Sequence, residues 1–543
     1  MKKIILFLLL VSSFNGFSQI EDAWVYFKDK PNSAPYLSNP LTMLTQRALD
    51  RRTNQAIALD IKDVPINQPY IDAITASTGI TVKAKSKWLN CLHVRGLKTD
   101  IDVLKLLSSV LRVDFANKSL NSTKKIASKP KFKPVNKVLE TAVNFNYGTS
   151  ANQIQMLNGH LLHQLNYTGT GKIIAVLDAG FPNVNTAQPF QRLITNNLIL
   201  GGYDFVNKNV NFYTGDSHGT LVLSTMGGFT DGQLVGTAPD AAYYLFITED
   251  AVSTFPYAEN PVEESNWVEA AEEADRLGVD IISSSLGYFE YNNAAYSHTY
   301  ADMTGNSAFA SQGANIAFSR GMIVVASAGN EGGTAEPHVG VPAEALNVIA
   351  VGAVKADETY ATFSSVGPSF DNRVKPDVMA QGQASVLSNT AGTITTANGT
   401  SFSGPILAGM VASLWQALPT KTNQQIKQLI TQSSDRFLAP TTQFGYGIPD
   451  FNLALANGLS VEAFSKNDFI VYPNPTSDFL TVSLSEKFDS GILVIYNLLG
   501  QKVLESEISK TASVVSLKTL SKGSYFYKFE SNGAFKSGKI IKQ

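Results

Sequence analysis

Asn398-Gly399-Thr400-Ser401-Phe402-Ser403-Gly404-Pro405, running directly into the apolar stretch Ile406 to Leu418, is the segment from which the rest of the chain is read. The apolar stretch predicts a buried helix, and Gly399 ahead of it predicts a tight turn. A serine between such a turn and such a helix sits among unpaired backbone N–H groups at the positive end of the macrodipole. That setting suits a nucleophile that must carry developing negative charge. It equally suits a serine that only caps the helix, since Ser is a preferred N-cap residue. A base, an orienting acid and an oxyanion donor elsewhere in the chain decide between the two.

The chain has 543 residues, of which 44% are hydrophobic and 16% charged. At about 150 residues per domain this length predicts three or four domains with substantial cores. A formal net charge of −2 gives no overall attraction to nucleic acid or anionic membrane, so neither is expected as a partner. Met1-Lys2-Lys3 followed by the apolar run Ile4 to Val11 reads as a secretory signal peptide ending near residue 19. No later stretch is apolar for long enough to span a bilayer, so no transmembrane segment is expected. The single cysteine, Cys91, has no partner for an internal disulfide, so core packing or bound ions must hold the exported chain.

Residues 20–116 mix strand-like stretches (Ala23 to Phe27, Lys87 to Val94) with helix-like ones (Leu41 to Arg52, Asp100 to Ser109) and read as a small α+β unit. It shows no convergent polar cluster and is assigned no chemistry. Residues 117–147 form a basic linker; Lys118 to Lys137 carries many lysines and no acid, a composition that is extended and open to proteolytic processing. From Gly171 strands alternate with helices, which predicts an α/β domain on a parallel sheet over residues 148–457. Its strand candidates are Lys172 to Leu177, Ala242 to Ile247, Val279 to Ile282, Met322 to Ala326 and Val348 to Val351. Its helix candidates are His218 to Met226, Val262 to Leu277 and Gly305 to Ser319. After a linker at 458–468, residues 469–543 show short alternating strands, clearest at Phe479 to Leu484, Ile492 to Tyr496, Tyr525 to Glu530 and Ser537 to Ile541, and predict a small β-sandwich.

Ligands of open α/β sheets bind outside the carboxyl ends of the strands. Asp178, Ser283-Ser284-Ser285-Leu286-Gly287 and Ala328-Gly329-Asn330 each follow a strand directly and should share that edge. Of six histidines, His218 in Asp216-Ser217-His218-Gly219-Thr220 is the best general base, because it opens an apolar helix. Asp178 can orient its imidazole, with Asp204 and Asp216 as rivals. Asn330 can donate its side-chain amide to an oxyanion, with the Ser401 N–H as second donor, or it can simply supply a left-handed turn.

Asp178-Ala179-Gly180, His218-Gly219-Thr220 and Gly399-Thr400-Ser401-Phe402-Ser403-Gly404-Pro405 resemble, in that order, the three signatures of subtilisin-like serine proteases. The resemblance spans about Gly148 to Asn457 and implies a parallel sheet with helices on both faces. It implies an Asp178-His218-Ser401 triad, an acyl-enzyme, Asn330 at the oxyanion, and Ser285, Leu286, Gly287, Ala328 and Gly329 along the substrate cleft. Small residues there suggest a roomy first pocket for large apolar side chains. Ala179 departs from the family, which usually has Thr or Ser after the aspartate, and removes a hydrogen bond to the acid. The α+β unit resembles the family's propeptide, a folding aid and inhibitor. Tyr472-Pro473-Asn474-Pro475, Tyr496 to Val503, Gly523-Ser524-Tyr525 and Lys539-Ile540-Ile541-Lys542 resemble the C-terminal sorting domain of the type IX secretion system.

The implied protein is a secreted or surface-located serine endopeptidase, made as a precursor and acting as a monomer on protein and peptide substrates. Its implied partners are its own propeptide and the type IX machinery. No cofactor is required by the motifs. A structural calcium stays open: no contiguous loop resembles an EF-hand, which leaves sites assembled from distant oxygens. The alternative reading is a catalytically impaired surface adhesin on the same scaffold. A serine esterase of the α/β-hydrolase type would need its nucleophile first and its histidine last.

Overall fold

The computed structural model describes residues 20–121, 144–252, 259–459, 469–484, 489–498, 500–510, 513–531 and 534–543. The expected signal peptide and most of both expected linkers lie outside them. In the first block, strands β1 (Ile20–Phe27), β2 (Thr81–Ser86), β3 (Cys91–Leu97) and β4 (Val110–Phe115) pair antiparallel in the order β2-β3-β1-β4. The strand expected across Lys87 to Val94 is broken by a turn at residues 87–90. Asn90 there has φ 52°, a left-handed conformation that Asn tolerates and a strand cannot contain. The helix expected from Leu41 starts instead at Gln46, as α1 (Gln46–Asn54), where Thr45 Oγ1 accepts the Ala48 N–H. The helix expected over Asp100 to Ser109 is Lys98–Val103 followed by a 3₁₀ turn, Leu104–Leu106.

The central sheet has seven strands: β5 (Ile173–Asp178), β6 (Ile199–Asp204), β7 (Ala242–Ile247), β8 (Ile281–Ser284), β9 (Ile323–Ser327), β10 (Ile349–Val354) and β11 (Val378–Gln381). All neighbours are parallel, in the order β11-β10-β9-β8-β5-β7-β6. Every residue of β5, β8, β9, β10 and β11 is buried, as expected of strands covered on both faces. The sequence had not signalled β6 or β11. β6 carries Gly201-Gly202, β11 lacks a β-branched residue after Val378, and each forms an edge of the sheet.

Helices α2 (His218–Gly227) and α5 (Thr400–Ala417) pack on each other, as do α3 (Val262–Leu277) and α4 (Phe309–Ser319), and together they flank the sheet. Strands after β5 fill one side through β6 and β7, and then the chain crosses to β8 on the other side. The carboxyl ends of β5 and β8 therefore meet at a topological switch point, the place where open α/β sheets form a crevice.

The N-terminal unit is docked on α3 through buried polar groups. The Glu272 carboxylate accepts Ser86 Oγ at 2.6 Å, the Trp88 N–H at 2.9 Å and the Lys87 N–H at 3.0 Å. Trp24 Nε1 donates to Ser265 Oγ at 2.9 Å, and the Trp24 ring stacks on Phe309 at 5.1 Å. His93 bridges Ser265 Oγ and Asp22 Oδ1, and Arg95 holds Asp22 as well. Further along α3, Asp275 takes both Arg51 and Arg52. A unit that looked free of convergent polar residues thus supplies half of a polar interface, invisible until both halves are placed.

Residues 456–543 form a separate unit. Its two antiparallel sheets are Phe469–Tyr472, Phe479–Leu484 and Val514–Ser516 in one, and Lys502–Ser509, Ser490–Tyr496, Gly523–Ser531 and Ala534–Lys542 in the other. Phe469, Leu480, Val482, Leu493, Ile495 and Phe529 are among the side chains packed between them. This is the sandwich arrangement.

Glu272→Ala leaves three donors of this interface without an acceptor, two of them buried, at a cost of about 1–3 kcal/mol. Thermal unfolding of the precursor should show a clear loss of stability. An unchanged transition would mean that the turn at residues 87–90 does not depend on this carboxylate.

Candidate active site

Asp178 ends β5 and is fully buried. His218 begins α2, and its Nδ1 lies 2.7 Å from Asp178 Oδ1. Gly219 makes that approach feasible: a Cβ there would lie 2.4 Å from Gly180 O and 2.9 Å from Asp178 Cβ. Asp216 Oδ1 accepts the His218 backbone N–H at 2.8 Å and so fixes the start of α2. Asp204, the other rival, closes its own turn through the Val206 and Asn207 N–H groups. Of the three acids, only Asp178 holds the imidazole.

The negative charge of Asp178 pushes the His218 pKa up, against desolvation, which pulls it down; Asp216 adds to the rise. Asp178 Oδ1 also accepts the Ala179 N–H at 2.8 Å. Its Oδ2 is buried and has no hydrogen-bond partner. The alanine after the acid thus coincides with an unsatisfied oxygen on it.

Ser401 is the second residue of α5, partly exposed. Its neighbour Phe402 places a ring 6.2 Å from the His218 imidazole, centroid to centroid. Among the described residues no hydrogen bond joins Ser401 Oγ to His218. Such bonds are often long in a site without substrate and tighten in the complex. Pro405 lies inside the first turns of α5 and has no N–H to give to the Ser401 carbonyl four residues earlier. Ser285 Oγ donates to that carbonyl at 2.9 Å and replaces the missing bond. One turn deeper, Gly404 lets the helix approach β9, since a Cβ there would lie 2.9 Å from Ser327 Oγ. Ser327 Oγ in turn donates to Thr400 O at 2.8 Å.

Asn330 follows β9 and does not have positive φ, so the left-handed-turn reading of it fails. Its Oδ1 accepts the Thr400 N–H at 2.9 Å and Thr400 Oγ1 at 3.1 Å. With the carbonyl end taken, the side chain can present only its amide donor to the cleft. Thr400 is fully buried; its one hydroxyl proton is shared between Asn330 Oδ1 and Gly329 O, each 3.1 Å from Oγ1, and Oγ1 accepts the Gly329 N–H at 3.2 Å. Its part in aiming Asn330 could not be read from the motif, where it was one more turn residue.

A cleft of about 220 Å³ brings together Ser285, Leu286, Gly287, Ala328, Gly329, Asn330, Thr400 and Ser401. Phe289 and Val341 also line it, together with Glu331 and His338. Glu331 Oε2 accepts Ser365 Oγ at 2.7 Å, and His338 stacks on Tyr300 at 3.8 Å. The expected apolar pocket is therefore mixed in character. The sequence signal was weak: Glu331 adjoins the Gly329-Asn330 turn, whereas His338 sits in no motif.

A parallel α/β sheet with an acid, an imidazole and a serine-bearing helix start gathered at its carboxyl edge defines an enzyme of the hydrolytic serine class. Comparison with known proteins gives the family. Residues 169–447 match the subtilase family of peptidases, residues 22–133 the peptidase S8 propeptide domain of Bacteroidota, and residues 470–543 the secretion system C-terminal sorting domain. Subtilisin NAT of Bacillus subtilis subsp. natto is 31% identical over 299 residues, covering 54% of this chain and 68% of the relative. Subtilisin of Bacillus pumilus is 30% identical over 54% of this chain and 94% of the relative. The chain belongs to the subtilase family and is a serine endopeptidase with a propeptide. Its sorting domain marks it for type IX export across the outer membrane, to the medium or the cell surface. No helix among the described residues is long and apolar enough to cross a membrane.

Ala179→Ser offers a hydroxyl on the residue that follows Asp178, whose Oδ2 is orphaned. Satisfying that oxygen should stabilise the protein by about 1 kcal/mol. Differential scanning calorimetry should register it as a higher Tm, with kcat/KM kept within a few-fold of the parent. A lower Tm would show that the site is closed to a donor.

Proposed function

We propose that the protein hydrolyses peptide bonds through an acyl-enzyme formed on Ser401. His218 accepts the Ser401 proton as Oγ attacks the scissile carbonyl, then returns it to the leaving amine. Asp178 keeps the proton on His218 Nδ1, so that Nε2 is the basic nitrogen, and stabilises the imidazolium as it forms. The tetrahedral oxyanion is held by Asn330 Nδ2 and the Ser401 N–H, at a helix start whose field also favours negative charge. Water then repeats the sequence against the acyl group, with His218 again as base, and frees Ser401.

The observation that carries this reading is the 2.7 Å contact between His218 Nδ1 and buried Asp178, beside the Ser401 turn. The orientation of Asn330 adds to it, because Thr400 occupies Oδ1 and leaves the donor end available. Substrate in extended form would pair with the backbone at Ser285-Leu286-Gly287, where Gly287 is exposed, an instance of β-augmentation. The N-terminal unit acts as folding aid and inhibitor while it remains docked on α3, and cleavage in the basic linker releases it. The mature enzyme is a monomer acting on protein and peptide substrates.

A fluorophosphonate probe should modify mature protein at Ser401, located by peptide mass analysis, and the label should vanish in His218→Ala. An unlabelled parent would favour a binding protein on a protease scaffold.

The acid limb of kcat/KM follows from His218. The neutral imidazole is the base, and Asp178 holds its pKa above the ordinary 6.5, so activity should fall as pH drops through a midpoint above 6.5. Asp178→Asn removes the leading cause of the rise. Its residual activity should therefore be far lower, with its acid limb displaced to lower pH. A limb that stays in place would assign it to another group.

A further inference from the structure

Strand β7 ends at Ile247 and helix α3 begins at Val262, and the connection between them gathers three glutamates. Glu249 lies two residues past the strand, Glu259 just ahead of the helix and Glu263 in its first turn. One carboxylate oxygen from each lies within 4.8 Å of the other two. Each oxygen of Glu263 accepts a backbone N–H, Oε1 that of Asp250 and Oε2 that of Asn260, both at 3.2 Å. Among the described residues no lysine, arginine or histidine forms an ion pair with any of the three.

A second observation shows that something should complete this cluster. Glu249 as a residue is only partly covered, yet its Oε2 is buried and meets no donor. Thr248 Oγ1 and the hydroxyl of fully buried Tyr288 are also without partners. Three like charges at this spacing need a cation or bound protons. A proton shared between Glu249 and Glu263 would relieve one pair and leave the third charge.

We propose that Glu249, Glu259 and Glu263 bind a calcium ion that ties the end of β7 to the start of α3. Calcium takes six to eight oxygens at about 2.3–2.6 Å, so two oxygens on one ion lie roughly 3–5 Å apart, as these do. An all-carboxylate set without His or Cys does not match the preferences of zinc and copper, and the exposed Glu259 leaves room for water ligands. Glu263 and Glu249 anchor the ion to the helix start and the strand end, and Glu259 closes it from the surface. The site lies close to the catalytic edge along the chain, because the Thr248 N–H donates to the Asp178 carbonyl at 3.0 Å.

The test uses the full-length Ser401→Ala precursor, which cannot process itself, and the same protein carrying Glu249→Gln or Glu259→Gln. After chelator treatment, calcium is titrated calorimetrically and thermal unfolding is followed. The parent should bind calcium and gain roughly 5 °C in Tm at about a hundred times Kd. Each glutamine variant should lose one calcium site or bind it at least tenfold more weakly. Glu259 is exposed, so its variant should fold like the parent and keep the result readable if Glu249→Gln does not fold. Calcium binding equal to the parent's in both variants, or none in the parent, overturns the proposal. So does a parent stabilised by mild acid but indifferent to calcium, which would mean that the carboxyls share protons instead.

Discussion

A helix whose first turn is buried must satisfy its orphan backbone groups inside the protein, and the start of α5 shows how much structure that requirement can organise. Thr400 N–H goes to Asn330 Oδ1, Thr400 O takes Ser327 Oγ, and the carbonyl that Pro405 cannot serve takes Ser285 Oγ. The three partners come from the ends of β8 and β9 and the turn after β9. Each bond that completes the helix therefore also positions an element of the cleft. Removing any one partner would leave a buried polar group unpaired and displace the residue beside Ser401.

The same economy of polar groups governs the N-terminal unit. With only Cys91, buried and unpaired, no disulfide ties it to the rest of the chain. Docking rests instead on charged and hydrogen-bonded side chains covered by both units, such as Glu272 with the turn after β2 and Asp275 with Arg51 and Arg52. Buried charges of this kind are stable only while every partner is present. A propeptide held in this way keeps its buried charges satisfied only while the whole interface is in place.

Sequence alone determined what local chemistry can determine. Largely apolar runs identified five strands of the central sheet, because strands buried on both faces need no polar alternation. Period and length placed α3 at its observed ends, and the three short motifs pointed to Asp178, His218 and Ser401. Tertiary structure decided everything that depends on a neighbour distant in sequence. It separated Asp178 from Asp204 and Asp216, which carry the same functional group in similar local settings. It turned Asn330 by way of Thr400, brought Glu331 and His338 into the pocket lining, and gathered three glutamates of one connection around a common point. The edge strands β6 and β11 were missed for the same reason: weak intrinsic preference was overridden by pairing with β7 and β10. Periodicity and turn chemistry are written in adjacent residues, whereas hydrogen-bond partners and charge neighbours exist only after the chain has closed on itself.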